Sequence, residues 1–299
     1  MQFDDARIAR LYRNVPQREL QRLLRFRATY VPQSMNIDGI VWEYIDAGQG
    51  DTTLLILPGG LKLAESAWMT ISYFAEEAAG GPYRVVAPSY PASVATMTGL
   101  VDGIAKLLEQ LRIGKVEVIG SSYGGMVAQL FVRRHPDRAD KVILSHTTTP
   151  DAARGRRIAR ALPWLRLLPM WALRPLVKRA LLALLPEDEK LTFFEAYLAE
   201  LLRHRQTKEG LLNGYRQSIE FDLNTVFTPE DLARWSGTIY LILADDDPVT
   251  PASSRAKLRA LYPGARVYEF HGTGHATALL AQGKYWALLE SYLSEPQVP

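Results

Sequence analysis

Residues 116–125 read VEVIGSSYGG, an apolar run that changes into a turn of small residues at Gly120. The turn contains the pattern Gly-x-Ser-x-Gly around Ser122, which is typical of a sharp passage from a strand into a helix, the nucleophile elbow. Side chains two positions before and after such a serine would collide, which explains Gly120 and Gly124. The stretch therefore predicts a serine hydroxyl above a sheet, at a helix start where backbone N–H groups favour negative charge.

The segments on either side alternate between short apolar runs and helical runs. Strands are predicted at 53–57, 83–87, 115–119, 141–145, 238–243 and 266–270, and helices at 64–79, 100–111, 123–134, 255–261 and 276–293. Apolar strands that alternate with helices are typical of a parallel sheet covered on both faces. We therefore predict an α/β fold with a doubly wound, mostly parallel sheet, and we expect the chemistry beyond the carboxyl ends of its strands.

Two regions depart from this alternation and set the predicted domains. An Arg-rich helical pattern at the start gives an N-terminal helical segment, 1–36, and a strand is predicted next at 37–45 with Asp38-Gly39 as a turn signal. Residues 151–235 contain helical patterns and no convincing strand. We therefore predict a core made of 37–150 and 236–299, interrupted by a helical cap at 151–235.

A serine nucleophile needs a base, usually a histidine that a carboxylate orients. Two loops that follow predicted strands supply both groups: residues 244–251 read ADDDPVTP, and residues 271–275 read HGTGH. The chain order nucleophile, acid, base is the one expected in this kind of sheet, after Ser122. The candidates for the acid are Asp245, Asp246 and Asp247, and the candidates for the base are His271 and His275.

Composition excludes several other kinds of site. The 299 residues include no cysteine, so disulfides, cysteine-ligated metals and a thiol nucleophile are excluded. No spacing of His, Asp or Glu suggests a metal, and His135, His146 and His204 fit helix-end, structural and surface positions. We therefore expect neither a metal nor any other cofactor.

Charge and hydropathy also limit the kinds of partner that this protein is expected to have. The net charge of +3 is too small to indicate nucleic acid. The first residues lack the apolar region of a secretory signal, and the longest apolar region, 161–185, is interrupted by three prolines and four basic residues, which a transmembrane helix does not tolerate. We expect a soluble, cytoplasmic protein. The sequence contains no signal for a particular oligomeric state.

The charge is nevertheless uneven along the chain. Between Arg154 and Arg179 there are eight basic residues and no acidic residue. A solvated helix face explains this best. The alternative is a surface that makes weak contact with anionic lipid.

From about residue 37 to 293, the chain resembles the serine hydrolase branch of the α/β-hydrolase family. The resemblance rests on GSSYGG at 120–125, DPVTP at 247–251 and the pair Gly274-His275. In that family the acid stands four residues before a proline and the base commonly follows a glycine. The resemblance thus implies a catalytic triad of Ser122, Asp247 and His275.

The resemblance also implies an oxyanion hole built from two backbone N–H groups. One belongs to Tyr123, directly after the nucleophile. The other, by alignment of Gly59, belongs to Gly60. Family members often have His-Gly where this chain has Pro58-Gly59, so the side chain that usually braces this loop is missing.

The implied activity is that of a carboxylesterase, a serine esterase that cleaves carboxylic (acyl) esters through an acyl-enzyme intermediate. The apolar cap favours a small-molecule apolar ester, although thioesters, amides, lactones and C–C bonds use the same triad. A narrower resemblance, carried by residues 83–91 and 261–266, is to maspardin-like members. It implies the alternative of a non-catalytic protein-binding module on the same fold.

Overall fold

The computed structural model describes residues 10–79, 83–185 and 190–295, and one sheet of eight strands lies within them. The strands are β1 (Gln33–Ile37), β2 (Ile40–Ala47), β3 (Thr53–Leu57), β4 (Arg84–Pro88), β5 (Val116–Ser121), β6 (Ala139–Ser145), β7 (Thr238–Ala244) and β8 (Arg266–Phe270). Their order in space is β1-β2-β4-β3-β5-β6-β7-β8. β2 pairs antiparallel with β1 and β4, and all the other pairs are parallel. The predicted doubly wound, mostly parallel sheet is confirmed.

Helices cover both faces of this sheet. They are α1 (Gln17–Thr29), α2 (Trp68–Ser72), α3 (Met97–Gln110), α4 (Tyr123–Arg134), α5 (Ala152–Leu167), α6 (Met170–Leu182), α7 (Leu191–His204), α8 (Lys208–Asn224), α9 (Ala252–Leu261), α10 (Thr277–Leu280) and α11 (Gln282–Ser294). One core lies between the sheet and α3, α4 and α9, and the other between the sheet and α1, α2, α7 and α11. In β3, Leu54 and Leu55 point into opposite cores, which explains why the parallel strands are apolar throughout.

The region before β3 is a hairpin and not the single strand predicted at 37–45. Asp38 and Gly39 both have positive φ, 52° and 82°, as the two central residues of a type I′ turn require. The polar edge strand β1 therefore belongs to the sheet, which begins at Gln33 and not at residue 37. The predicted helical segment ends accordingly at Thr29, and its first nine residues lie outside the described ones.

The continuous helix predicted at 64–79 is also wrong in detail. The chain makes a 3₁₀ turn at Ala64–Ala67, the short helix α2, and a wider π turn at Tyr73–Glu77. Within the π turn, Tyr73 stacks on Trp286 of α11 with ring centroids 4.2 Å apart. Tertiary packing of this kind overrides a local helical pattern.

Helices α5 to α8 lie within 151–235, and no strand occurs among its described residues. The close contact between α5 and α8 depends on Gly155, where a Cβ would come within 2.6 Å of the Cβ of Asp222. Asp222 is buried, and Arg154 of α5 donates to it. None of the described helices is long and apolar enough to cross a membrane.

A buried arginine connects the N-terminal helix to this region. Arg27 of α1 lies 2.5 Å from a carboxylate oxygen of Glu65, in the 3₁₀ turn, and 3.0 Å from one of Glu200 on α7. All three side chains are at most 12% exposed. One cation thus compensates two carboxylates from different parts of the chain, which a buried pair of acids requires.

Helix α3 approaches the sheet through Gly103. A Cβ on Gly103 would lie 2.0 Å from a ring carbon of the buried Trp42, whereas a Cβ on Gly283 of α11 would meet nothing within 4 Å. We expect Gly103→Ala to lower the free energy of unfolding by about 2 kcal/mol, because overpacking outweighs the gain in helix propensity. Gly283→Ala should raise it by up to about 1 kcal/mol.

Urea denaturation of both variants and the wild-type protein measures these changes. Equal effects of the two substitutions would contradict the packing argument, because both sites gain the same methyl group inside a helix.

Candidate active site

Ser122 lies at the junction between β5 and α4 in a strained backbone conformation. Its φ is +53°, a region that non-glycine residues rarely adopt. The backbone on both sides is close-packed: a Cβ on Gly120 would lie 2.5 Å from the carbonyl oxygen of Gly124, and one on Gly124 would lie 2.0 Å from that of Leu57. The steric reason predicted for these two glycines is confirmed.

The structure brings the three predicted triad side chains together. The Nε2 atom of His275 lies 3.0 Å from the Oγ atom of Ser122, and its Nδ1 atom lies 2.8 Å from an Oδ atom of Asp247. The Asp247 side chain is fully buried, and that of His275 is 10% exposed. Each residue follows the carboxyl end of a parallel strand, β5, β7 or β8, so the strand order places all three at one edge of the sheet.

The surroundings of Asp247 keep it ionised. Its carboxylate accepts hydrogen bonds from the Thr250 hydroxyl and from the Val249 and Thr250 amides, besides the one from His275. Burial alone would raise the pKa of Asp247, but these hydrogen bonds and the charge of His275 lower it to about 2. A carboxylate at this position favours the tautomer of His275 that carries its proton on Nδ1. Nε2 is then an acceptor for the Ser122 hydroxyl.

The competing acids and the competing histidine lie elsewhere in the same two loops. Asp245 and His271 form a pair at 2.7 Å on the surface, where the His271 side chain is 78% exposed. Asp246 accepts a hydrogen bond of 2.9 Å from the Gly274 amide. All three consecutive acids therefore contact the 271–275 loop, and Asp247 is the one that meets His275.

His146 packs against the site from behind. Its ring centroid lies 5.8 Å from that of His275, with the two rings nearly perpendicular. The His146 nitrogens pair with the hydroxyls of Ser145 and Thr277 at 2.8 and 2.7 Å. Burial and the nearby charge of His275 lower the pKa of His146 to about 4. His146 is thus neutral at neutral pH and does not oppose a positive charge on His275.

The two predicted oxyanion residues belong to segments that adjoin Ser122. Tyr123 is the first residue of α4, where helix N–H groups lack partners within the helix. Gly60 and Ser122 line the same cavity, and a Cβ on Gly59 would lie 3.8 Å from the Ser122 Cβ.

Sequence reasoning missed the residue that braces the Gly59–Gly60 loop, which is Lys62. Its amide donates to the Gly59 carbonyl at 2.9 Å, and its Nζ donates to the Gly210 carbonyl of α8 at 2.7 Å. The same Nζ lies 5.9 Å from the ring centroid of Tyr123. Burial lowers the pKa of Lys62 to about 8. The motif gave no signal for it, because a lysine after a glycine turn is typical of a surface residue.

Ser122 and His275 open into a cavity of about 330 Å³. Its walls are mostly apolar, and among the described residues that line it none is acidic, lysine or arginine. The helical region 151–235 contributes Leu181, Leu184, Leu185, Phe194, Tyr197 and Leu198. Two tryptophans of that region are exposed and do not line the cavity: Trp164 by 72% and Trp171 by 75%.

The chain is similar to proteins with related architecture along most of its length. A provisionally named carbamate hydrolase, RutD, from Caulobacter sp. (strain K31) is 24% identical over 277 residues, 88% of this chain and 98% of the relative. Among solved structures, a hydrolase from Pseudomonas aeruginosa PA01 is 16% identical with a TM-score of 0.73, and an esterase from Exiguobacterium antarcticum is 18% identical with a TM-score of 0.70. In both cases the match covers 89% of this chain and 99% of the other.

None of these three proteins is named as maspardin-like, so that narrower resemblance stays a prediction.

The two structures, at under 20% identity, establish the fold alone. The model of the alpha/beta hydrolase family matches residues 54–285, which include most of β3, the Ser122 turn and the loops of Asp247 and His275. The match covers more than half of the chain and agrees with the sheet order, and the protein therefore belongs to the alpha/beta hydrolase family.

Proposed function

We propose that the protein is a serine hydrolase that cleaves carboxylic esters of small apolar molecules with Ser122, His275 and Asp247. The observation that carries this proposal is the continuous hydrogen-bond chain from Asp247 through His275 to Ser122, which ends in an apolar cavity. A serine hydroxyl is a weak nucleophile, and a base within hydrogen-bond distance activates it.

In the first half of the reaction, the Oγ atom of Ser122 attacks the ester carbonyl while Nε2 of His275 takes its proton. Asp247 stabilises the imidazolium that forms and remains ionised throughout. The N–H groups of Tyr123 and Gly60 donate to the negative oxygen of the tetrahedral intermediate. The intermediate collapses as His275 returns the proton to the leaving alcohol, which leaves an acyl group on Ser122.

In the second half, a water molecule takes the place of the alcohol. His275 removes a proton from this water as it attacks the acyl carbon, and the same two N–H groups again stabilise the negative oxygen. Collapse of the second intermediate breaks the bond to Ser122, and His275 returns the proton to the serine. The products are one alcohol and one carboxylic acid for each ester and water consumed.

The cavity supports an apolar acyl or alcohol group as the substrate. Burying aliphatic groups against its leucine and aromatic walls gains about 25 cal/mol for each Å² removed from water. The described residues of the wall offer no carboxylate, lysine or arginine to a charged substrate. Two of the three named proteins act, by their names, on a carbamate and on an ester, namely the Caulobacter relative and the Exiguobacterium esterase. Attack on an acyl carbon bound to oxygen is compatible with both, and we propose the ester as the bond cleaved here.

We also propose that 151–235 acts as a cap over this cavity. Its leucines and aromatic residues supply one wall, and the Tyr197 hydroxyl of α7 donates to the Glu65 carbonyl at 2.9 Å, next to the residues that form the opposite wall. A wall of this kind excludes water from the reacting carbonyl, which strengthens the electrostatic interactions around it.

Replacing the nucleophile tests the mechanism directly. We expect Ser122→Ala to lower the hydrolysis rate of p-nitrophenyl esters by at least about 10⁴-fold, because no other group at this position attacks the carbonyl. The measurement uses a series from acetate to long acyl chains, and the best substrate reports the size of the cavity.

Ser66, another serine that lines the cavity, supplies the control: Ser66→Ala should keep the activity within about threefold, since this residue has no part in the proposed chemistry. Equal turnover by wild type and Ser122→Ala would contradict the proposal and would favour the non-catalytic binding module. Absence of ester turnover in folded wild type would contradict the choice of ester as the bond cleaved.

Replacing Asp247 tests whether this acid orients His275 or contributes to substrate binding. Asp247→Asn keeps the size of the side chain but removes the charge and presents N–H groups to His275, so we expect kcat to fall about 10³- to 10⁴-fold with KM nearly unchanged. Asp245→Asn is the matched control, because Asp245 pairs with exposed His271, and it should keep kcat within about threefold. A KM effect alone in Asp247→Asn would contradict the role of Asp247 in orienting the base.

The ionisation of Asp247 also makes stability depend on pH. Its pKa falls from the ordinary value of 3.8 to about 2 on folding, so the folded form is stabilised above about pH 4 and loses this contribution as the pH falls through 2. The contribution amounts to about 2 kcal/mol at neutral pH. Unfolding free energies of wild type and Asp247→Asn should therefore converge as the pH is lowered from 5 to 2. A constant difference over this range would contradict the depressed pKa.

A further inference from the structure

Four large apolar side chains are exposed along α5 and α6. They are Trp164 (72%), Leu167 (75%), Trp171 (75%) and Leu176 (56%). Trp164 and Leu167 lie near the end of α5, and Trp171 and Leu176 lie on α6, with Pro169 between the two helices. Large apolar side chains exposed on two consecutive helices favour an interaction surface.

Seven of the eight cations of the same two helices have no carboxylate partner in the described part of the chain. They are Arg156, Arg157, Arg160, Arg166, Arg174, Lys178 and Arg179, of which Arg174 donates to backbone carbonyls of α7. The sequence contains no acid from residue 152 to 186 that could pair with them locally. By contrast, Arg154 is paired with Asp222, and arginines elsewhere, such as Arg84 and Arg134, are paired with aspartates. Among the described residues, these two helices thus combine cations that have no carboxylate partner with exposed apolar side chains.

Spacing places part of this set on one side of α5. Arg157, Arg160, Trp164 and Leu167 follow one another at intervals of three or four residues, and all four are exposed. Along this one side of α5, the two arginines come first and the two apolar side chains follow toward the end of the helix. We call this stripe, together with exposed Trp171 and Leu176 of α6, the basic–aromatic face.

We propose that the basic–aromatic face docks on an anionic lipid bilayer. Tryptophan and leucine enter the boundary between headgroups and acyl chains, where their burial is favourable, and the arginines meet lipid phosphates. Each basic residue close to an anionic membrane contributes about 1 kcal/mol. Nucleic acid would match the charge and would stack on the tryptophans, but it offers nothing to Leu167 and Leu176.

The docking face and the wall of the catalytic cavity share helix α6. Helix α6 runs from exposed Trp171 to Leu181, which lines the cavity, and Leu184 and Leu185 continue that wall just beyond the helix. A bilayer at this face would thus lie beside the element that contacts the substrate. The docking proposal itself does not depend on the proposed ester hydrolysis, because none of the residues of the face belongs to the triad or to the oxyanion loop.

Vesicle sedimentation of the full chain tests the proposal. We expect wild type to bind vesicles of phosphatidylcholine mixed with phosphatidylglycerol and to bind pure phosphatidylcholine at least about tenfold more weakly, with the difference lost at high salt. Tryptophan emission should shift to shorter wavelength on the mixed vesicles, because Trp164 and Trp171 leave water.

Two double variants separate the two contributions. Arg157→Gln with Arg160→Gln should weaken binding to the mixed vesicles about thirtyfold, the effect of two lost cations. Trp164→Ser with Trp171→Ser should weaken it at least about tenfold and should remove the emission shift. These side chains are exposed, so circular dichroism should show unchanged folding.

The matched control is Arg112→Gln with Arg234→Gln. Both arginines are exposed and lie ahead of β5 and β7, at the amino ends of the strands and thus at the sheet edge opposite the catalytic one. This control should bind vesicles as wild type does, and all of these variants should keep hydrolysis of a soluble ester. If neither the wild type nor any variant hydrolysed the ester while vesicle binding was intact, the proposed function would be overturned and the docking proposal would stand.

Three results would overturn the docking proposal. One is equal binding of wild type to mixed and pure phosphatidylcholine vesicles, or no binding to either. Another is an equal loss of binding in the control variant. The third is binding of a different partner by a wild type that does not bind vesicles. That partner would be duplex DNA, if DNA binds tightly, or a second copy of the chain, if the protein self-associates and the tryptophan variant does not.

Discussion

The close approach of α4 to the end of β3 is the constraint on which the catalytic edge depends. It exists because Gly124 has no side chain, so the helix backbone rests directly on the carbonyl of Leu57. The same approach leaves Ser122 in its strained conformation and brings the Gly59–Gly60 loop beside it. One contact therefore sets the position of the nucleophile and of both proposed oxyanion donors, whose geometry must be correct to fractions of an ångström to be useful.

The base is held in place by an independent set of contacts. The three consecutive aspartates after β7 each accept hydrogen bonds from the loop after β8, and only the innermost of them, Asp247, is buried. The outer two pairs are exposed and contribute little free energy, but they limit the relative movement of the two loops. His146 supports the same loop from inside through Thr277, as a neutral ring.

Much of the architecture could be predicted from the sequence because it depends on local patterns. Strand β3 and helix α4 have the predicted bounds, and the Gly-x-Ser-x-Gly turn and the two loops lie at the predicted edge of the sheet. The hairpin before β3 was missed because β1 is a polar edge strand without an alternating pattern. Lys62 was missed because its partner Gly210 lies far along the chain, and only the folded structure brings the two together. The exposure of Trp164 and Trp171 could not be predicted, because composition does not reveal which side of a helix meets solvent.

The buried arginine of α1 has a further consequence for how this chain can vary. Arg27 is the shared counter-ion of Glu65, near the cavity wall, and of Glu200, in the helical region that the sheet sequence surrounds. Exchanging that helical region for one without an acid at the position of Glu200 would remove one of the two carboxylates that Arg27 contacts and would change the balance of buried charge. One set of ion pairs therefore joins three elements that are distant in sequence: the N-terminal helix α1, the 3₁₀ turn before α2, and helix α7. A functional chimera would have to take all three from the same parent.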